Sequence, residues 1–261
     1  ASYGIRQSLD SVGAFVGPGL ALLLMALLAN DIRGVFWFAV IPATLAVLIL
    51  WFGVREPARP ADTPKARLPL SRQEIGKLGS AYWNTVAVGA VLMLAGFSEA
   101  FLVLRAQDLG LSLTLIPLVF IVMNVVYALA AYPAGVCSDR WGRPGLIVAG
   151  FIVLIAADLV LATADGLPAV MTGIVLWGLY MGLTQGVLTA LIADTAPPEL
   201  RGTAFGLFNL VSGLSLLMAS ALAGWLWDQY GAPAPFFASA VIASAALAAW
   251  LLRVRRDGAL H

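Results

Sequence analysis

Cysteine and histidine are almost missing from this 261-residue chain, which has one of each, Cys137 and His261. A lone cysteine excludes an internal disulfide, and one thiol plus one terminal imidazole offer no cluster for a metal. No metal or cofactor is therefore expected. Charge is scarce too. Asp, Glu, Lys and Arg make up 11% of the residues, about half the share of a soluble domain. The net charge of +1 gives no basic footprint for nucleic acid. A Gly-x4-Gly-Lys-Ser/Thr loop for nucleotide phosphates is lacking, which argues against an ATP-driven pump. No nucleophile–base pair stands out, which argues against an enzyme. No secretory signal peptide is legible after Ala1.

Apolar residues are what the chain has in plenty. They form 61% of it, and the mean hydropathy is +0.93. Crossing about 30 Å of hydrocarbon takes about 20 helical residues. Eight runs qualify: 12–28, 35–54, 81–104, 114–136, 146–164, 167–192, 203–227 and 235–252. They are continuously apolar and do not alternate, which excludes a membrane barrel. The expectation is an all-α polytopic membrane protein with eight transmembrane helices.

An even number of spans puts both ends on one side. All Lys and Arg but Arg33 and Arg105 then share that side. The positive-inside bias places both termini in the cytoplasm of a cell membrane, with the lipid bilayer as first partner. Cys137 falls on the same side, where a reduced thiol is expected. Trp37, Trp51, Tyr82, Trp83, Trp227, Tyr230 and Trp250 lie near span ends and read as interfacial anchors.

The stretch 55–80 interrupts the apolar pattern with Pro57, Pro60, Pro64, Pro69 and a run of charges. Proline stiffens it and disfavours helix, although 71–78 has the pattern of a short amphipathic surface helix. It reads as a cytoplasmic linker between two spans (1–54) and six (81–261). A faint internal echo supports the division. Tyr3-Gly4-Ile5 resembles Phe205-Gly206-Leu207, and Leu20-Ala21 repeats at Leu222-Ala223 with the same offset. Two parallel six-helix halves would produce such a repeat.

Between the fourth and fifth spans stands Gly135-Val-Cys-Ser-Asp139-Arg140-Trp-Gly142-Arg143-Pro144. It resembles the signature loop of the major facilitator superfamily, Gly-x-x-x-Asp-Arg-x-Gly-Arg-Arg, with Pro144 in the last basic position. Gly4, Gly13, Gly17, Pro18 and Ala21 are similar to the fifth-helix motif of the family's drug–proton antiporters, with Ala21 replacing a glycine. Pro197-Pro198-Glu199-Leu-Arg201-Gly202-Thr-Ala-Phe-Gly206 resembles the turn into helix 11 of many bacterial members. All three agree that the first span corresponds to helix 5 and the last to helix 12. The resemblance implies two six-helix bundles around a cavity open alternately to either side. It also implies that helices 1–4, a missing partner supplying much of one wall, are absent from this chain. A fragment or a processed product is therefore expected.

Several residues could carry chemistry. Asp139 is placed to dock on the unpaired N–H groups of a helix start near Gly4, and Arg140 or Arg143 to pair with Asp194. Together these would latch the cytosolic side; the plainer reading is a charge cluster that fixes topology. Gly13, Gly17 and Pro18 allow a kinked, closely packed first span, or only ordinary small-residue packing. Glu99 lies within the third span, where a carboxylate costs about 2.5–3.5 kcal/mol on insertion scales. It should face a cavity or a partner, as a site for substrate or for a coupling proton, or form an ion pair with the missing helices.

Asn124 and Tyr127 form a polar stripe on the fourth span, below a kink expected at Pro117. Gly178, Gly182, Gln185 and Gly186 form another on the sixth, with Tyr180 beside it. Glu99, Asn124, Tyr127, Tyr180 and Gln185 are the expected substrate face; helix-to-helix bonding is the alternative for each polar group. Asp158 is expected to snorkel to the interface, and Arg105 with Asp108 to form a solvated pair. The function expected is secondary active transport of a small organic solute, with proton-coupled export favoured by the antiporter-like motif. The rivals are a non-transporting receptor or scaffold and an inactive truncated carrier.

Overall fold

Inside a bilayer no water is available for backbone groups, so continuously apolar segments satisfy them internally as helices. The computed structural model describes residues 2–53 and 75–258, with side chains at 13, 16–53, 75–138 and 142–252. The helices follow as α1 (Ser2–Leu27), α2 (Ile32–Gly53), α3 (Ser80–Ala95), α4 (Ala100–Asp108), α5 (Ile116–Trp141), α6 (Arg143–Thr163), α7 (Leu167–Thr195), α8 (Arg201–Tyr230) and α9 (Ala234–Gly258). Among the described residues seven stretches are long and apolar enough to cross a membrane. Val16–Leu27 of α1 is a shorter apolar segment. Most of the linker 55–80, including the start of the amphipathic segment at 71–78, lies outside the described residues. At its end Leu78 N–H closes a turn onto Ile75 O at 3.1 Å.

Three expectations about the helices change. The run 81–104 is two helices, α3 and α4, broken at 96–99. Glycine is a poor helix former, and the Ser98 hydroxyl competes for nearby backbone. Pro117 does not kink its span. It sits in the first turn of α5, where its missing N–H is no loss, after a short 3-10 turn at Leu113–Leu115. The signature at 135–144 is less a loop than a helix end. α5 continues to Trp141, and the chain reverses at Gly142 alone, whose φ of +77° is a conformation that glycine adopts freely.

α7 is the central element. It packs against α5 and α6, while α9 lies on α6 and α3, α8 on α3, and α1 on α5. Glycines set the close approaches. A Cβ at Gly178 would stand 2.5 Å from Met123 O, and one at Gly182 would stand 2.6 Å from Ala130 Cβ. These two glycines belong to the stripe read on the sixth span, and they seat α7 on α5. On the other side a Cβ at Gly150 of α6 would strike Thr184 of α7. Gly13 and Gly17 show the opposite. A Cβ at either would meet nothing within 4 Å, so the tight packing expected there is not made among the described residues.

Polar side chains near the span ends also differ from expectation. Tyr82 is not an interfacial anchor. It is fully buried and donates from its hydroxyl to Ala204 O at 2.9 Å, tying α3 to α8. Arg105 is not solvated. It is 5% exposed; its Nε donates to Leu161 O at 3.0 Å and its Nη2 to Ala164 O at 2.8 Å. The cation thereby satisfies carbonyls at the negative end of α6, and its Nη1 pairs with Asp108 at 2.6 Å. Asp158 does not snorkel either: it has no exposed surface.

Candidate functional site

Breaking a helix inside a membrane leaves backbone groups without intrahelical partners, and something must supply them. At 96–99 the suppliers come from other helices. Ser239 of α9 lies 2.5 Å from Ala95 O. Ser220 of α8 accepts from Ser98 N–H at 3.2 Å. The Tyr180 hydroxyl of α7 is 3.5 Å from Leu92 O, a long contact beside the 2.8 Å bond from Gly96 N–H to the same oxygen. Phe97 fixes the break in the core. Its ring packs on Phe101, Trp177 and Phe236 at centroid distances of 5.3, 5.4 and 5.3 Å.

The break forms one wall of a cavity of about 420 Å³, within the range of small-ligand sites. Gly96, Ser98 and Glu99 line it from the break, Tyr180 and Gln185 from α7, and Phe120 from α5. The structure thus brings together three of the five residues expected on the substrate face: Glu99, Tyr180 and Gln185. Glu99 is half-buried, immediately before α4, where a helix start favours negative charge. Among the described residues no cation pairs with it. Asn124 does not line the cavity, and its Nδ2 donates to Phe120 O of its own helix at 2.8 Å. Tyr127 is half-buried on α5, and its backbone carbonyl lies 3.0 Å from where a Cβ on Gly182 would be.

At the opposite end from Arg105, Arg143 opens α6 and its Nη1 bonds Asp194 at the end of α7. Arg201 at the start of α8 donates from Nε to Ala193 O at 3.2 Å. Three helix ends are therefore tied by two arginines. The side chains of Asp139 and Arg140 lie outside those described, as do those around Gly4. Pro18 and Gly17 line a second, wholly apolar cavity of about 430 Å³ between α1, α2 and α5, and Phe120 borders both cavities.

The sequence model of the Major Facilitator Superfamily matches residues 86–260, which is the whole of this site and most of the chain. The chain belongs to that superfamily. An uncharacterised MFS-type transporter of Methanocaldococcus jannaschii is 29% identical over 231 residues, covering 86% of this chain and 57% of that protein. An inner membrane metabolite transport protein of Escherichia coli is 25% identical over 275 residues, covering 97% and 62%. The chain thus spans little more than half the length of the curated relatives it matches. A crystal structure of a bacterial homolog of the human lysosomal transporter Spinster, inward-facing and unoccupied, shares the fold. Its TM-score is 0.58 at 17% identity, covering 94% of this chain and 67% of that one.

Sequence reasoning missed Ser98, Ser220, Ser239, Phe97 and Trp177. Gly96-Phe97-Ser98 in mid-span was the available signal for a break, and Trp177 is a tryptophan far from either interface. Ser220 and Ser239 gave no signal, because serine in a membrane helix is common and its partner here is a backbone N–H 122 residues away or a carbonyl 144 residues away.

Proposed function

We propose that the chain is the larger part of a secondary active transporter that moves a small organic solute by alternating access, and that it holds the solute at the break between α3 and α4. The observation that carries this reading is the cavity of about 420 Å³ lined by Glu99, Tyr180 and Gln185. A half-buried carboxylate with no cation partner among the described residues suits a site that binds a proton or a cationic group in turn. Coupling is therefore to protons, with Glu99 as the exchanging acid. Efflux is the direction supported by the antiporter-like Gly13, Gly17 and Pro18 pattern. The Arg143–Asp194 pair, with Asp139 and Arg140 nearby in sequence, serves as the cytoplasmic latch, and both termini are cytoplasmic in a bacterial inner membrane. Helices equivalent to 1–4 of the family would supply the facing wall.

A second reading, a non-transporting receptor, scaffold or inactive truncated carrier, draws on α2, which has no buried residue. The test is counterflow in proteoliposomes with ethidium as a lipophilic cation and glucose as a neutral solute. Exchange of ethidium that an imposed pH gradient accelerates, with the acceleration lost in Glu99→Gln, supports proton coupling through Glu99. Acceleration retained in Glu99→Gln removes that role. No exchange of either solute favours the second reading.

A further inference from the structure

Asp158 lies in the last third of α6 (Arg143–Thr163) with no exposed surface, and the proposed transport site makes no use of it. Its partner is Ser239 of α9, whose Oγ is 2.5 Å from Asp158 Oδ2 and 2.5 Å from Ala95 O. Ala95 ends α3, so its carbonyl is one of the last-turn groups without an intrahelical donor. A hydroxyl carries one proton, a carbonyl only accepts, and an ionised carboxylate only accepts. With Asp158 ionised, Ala95 O and Asp158 Oδ2 would compete for the single Ser239 proton. Asp158 Oδ1 has no hydrogen-bond partner among the described residues, so a full charge would sit there uncompensated. With a proton on Oδ2 every close contact is satisfied: Asp158 donates to Ser239 Oγ, and Ser239 donates to Ala95 O.

We propose that Asp158 is a proton-binding site whose proton, relayed through Ser239, holds the carbonyl end of α3 and so sets the shape of the helix break. The inference rests on the reading of that break as the wall of the transport cavity. Loss of the proton from Oδ2 to water turns the Ser239 hydroxyl toward the carboxylate. Ala95 O then has no donor, and the segment 96–99 is free to re-form. A proton held outside the cavity thus changes the cavity. The surrounding groups leave Asp158 in control. From α7 the titratable group nearby is Tyr180, whose hydroxyl lies 3.5 Å from Leu92 O. α9 offers no titratable side chain among its described residues. Among the described residues no ion pair reaches Asp158 from α5, where Tyr127, Tyr132 and Cys137 are the titratable groups. Arg105 of α4 is committed to Asp108, Leu161 O and Ala164 O. Glu99 is the last residue of the break and lines the cavity.

Two measurements on this chain in liposomes test the proposal without any substrate. Infrared spectra at neutral pH should show a protonated-carboxyl C=O band that Asp158→Asn removes and Glu99→Gln leaves in place. An unchanged band in Asp158→Asn overturns the proton site. For the relay, Met93→Cys on the cavity wall is placed in a Cys137→Ala background and labelled with a permeant maleimide. As pH rises until the Asp158 band vanishes, labelling should change several-fold more than in the same chain carrying Asp158→Asn, whose amide keeps a donor on Ser239. Ser239→Ala should fix the labelling at one level while the Asp158 band persists. Equal pH responses with and without Asp158→Asn overturn the relay even where the band is present. Failure of counterflow moves neither result, so the transport reading and this one fail separately.

Discussion

α2 runs 22 residues with a hydropathy of 2.4 and α6 runs 21 with 2.6, but none of the apolar window of α2 is buried while 50% of that of α6 is. Hydropathy therefore reports the solvent that a helix tolerates and says little about which helix it touches. Lipid tails are as apolar as leucine, so no hydrophobic drive pulls two such helices together. The difference lies in small and polar residues. α6 carries Gly150, Ala157 and Asp158, all buried, and its far end is capped by Arg105. α2 presents Phe36, Trp37, Phe38, Trp51 and Phe52, all exposed, which offer lipid a broad apolar surface and offer a neighbouring backbone no room.

The contrast between the hairpin α1–α2 and the bundle α3–α9 can be tested with glycines first. Gly178→Val in the bundle should cost about 3 kcal/mol, at the upper end of overpacking penalties, because the added carbon meets the Met123 backbone. Thermal unfolding in detergent measures it, and an unchanged midpoint would mean that α5 and α7 are not seated as described. Next, Arg105→Ala should cost about 2–3 kcal/mol, since hydrogen bonds to charged groups contribute about 1.5–3 kcal/mol; faster hydrogen exchange confined to the end of α6 would locate the loss. A smaller effect, about 1 kcal/mol, is expected for Tyr82→Phe, which removes one neutral bond to Ala204 O and which chemical denaturation would resolve. The least change is expected in the hairpin. Gly17→Ala should be neutral or stabilise by up to about 1 kcal/mol from helix propensity, because the space around it is open. A clear destabilisation of this chain by Gly17→Ala would show that α1 is packed more closely than the contrast allows.

How much was legible varied along the chain. Glu99 was legible because a carboxylate within an apolar run must have a cavity or a partner. Gln185 and Tyr180 were legible as a stripe at helical spacing. Asn124 fitted the same pattern, but its amide bonds its own helix at Phe120 O, and spacing cannot tell those two fates apart. The glycines at 178 and 182 looked like the same stripe and serve packing instead. Asp158, Arg105 and Tyr82 sat near predicted span ends and were read as reaching water. Each reaches a carbonyl or hydroxyl on another helix, 56 to 122 residues away.

The sequence by itself determined the solvent and the secondary structure. Long apolar runs can satisfy their backbone in a bilayer only as helices, and scarce, one-sided charge sets where the chain turns. It also carried the superfamily resemblance. The tertiary structure alone decided that one of those helices is broken, that the break is held by Ser239 and Ser220, and that α7 rather than α2 stands at the centre. Those outcomes depend on which carbonyl and which hydroxyl come within about 3 Å of each other. A string of residues fixes that distance only through every helix packed between them.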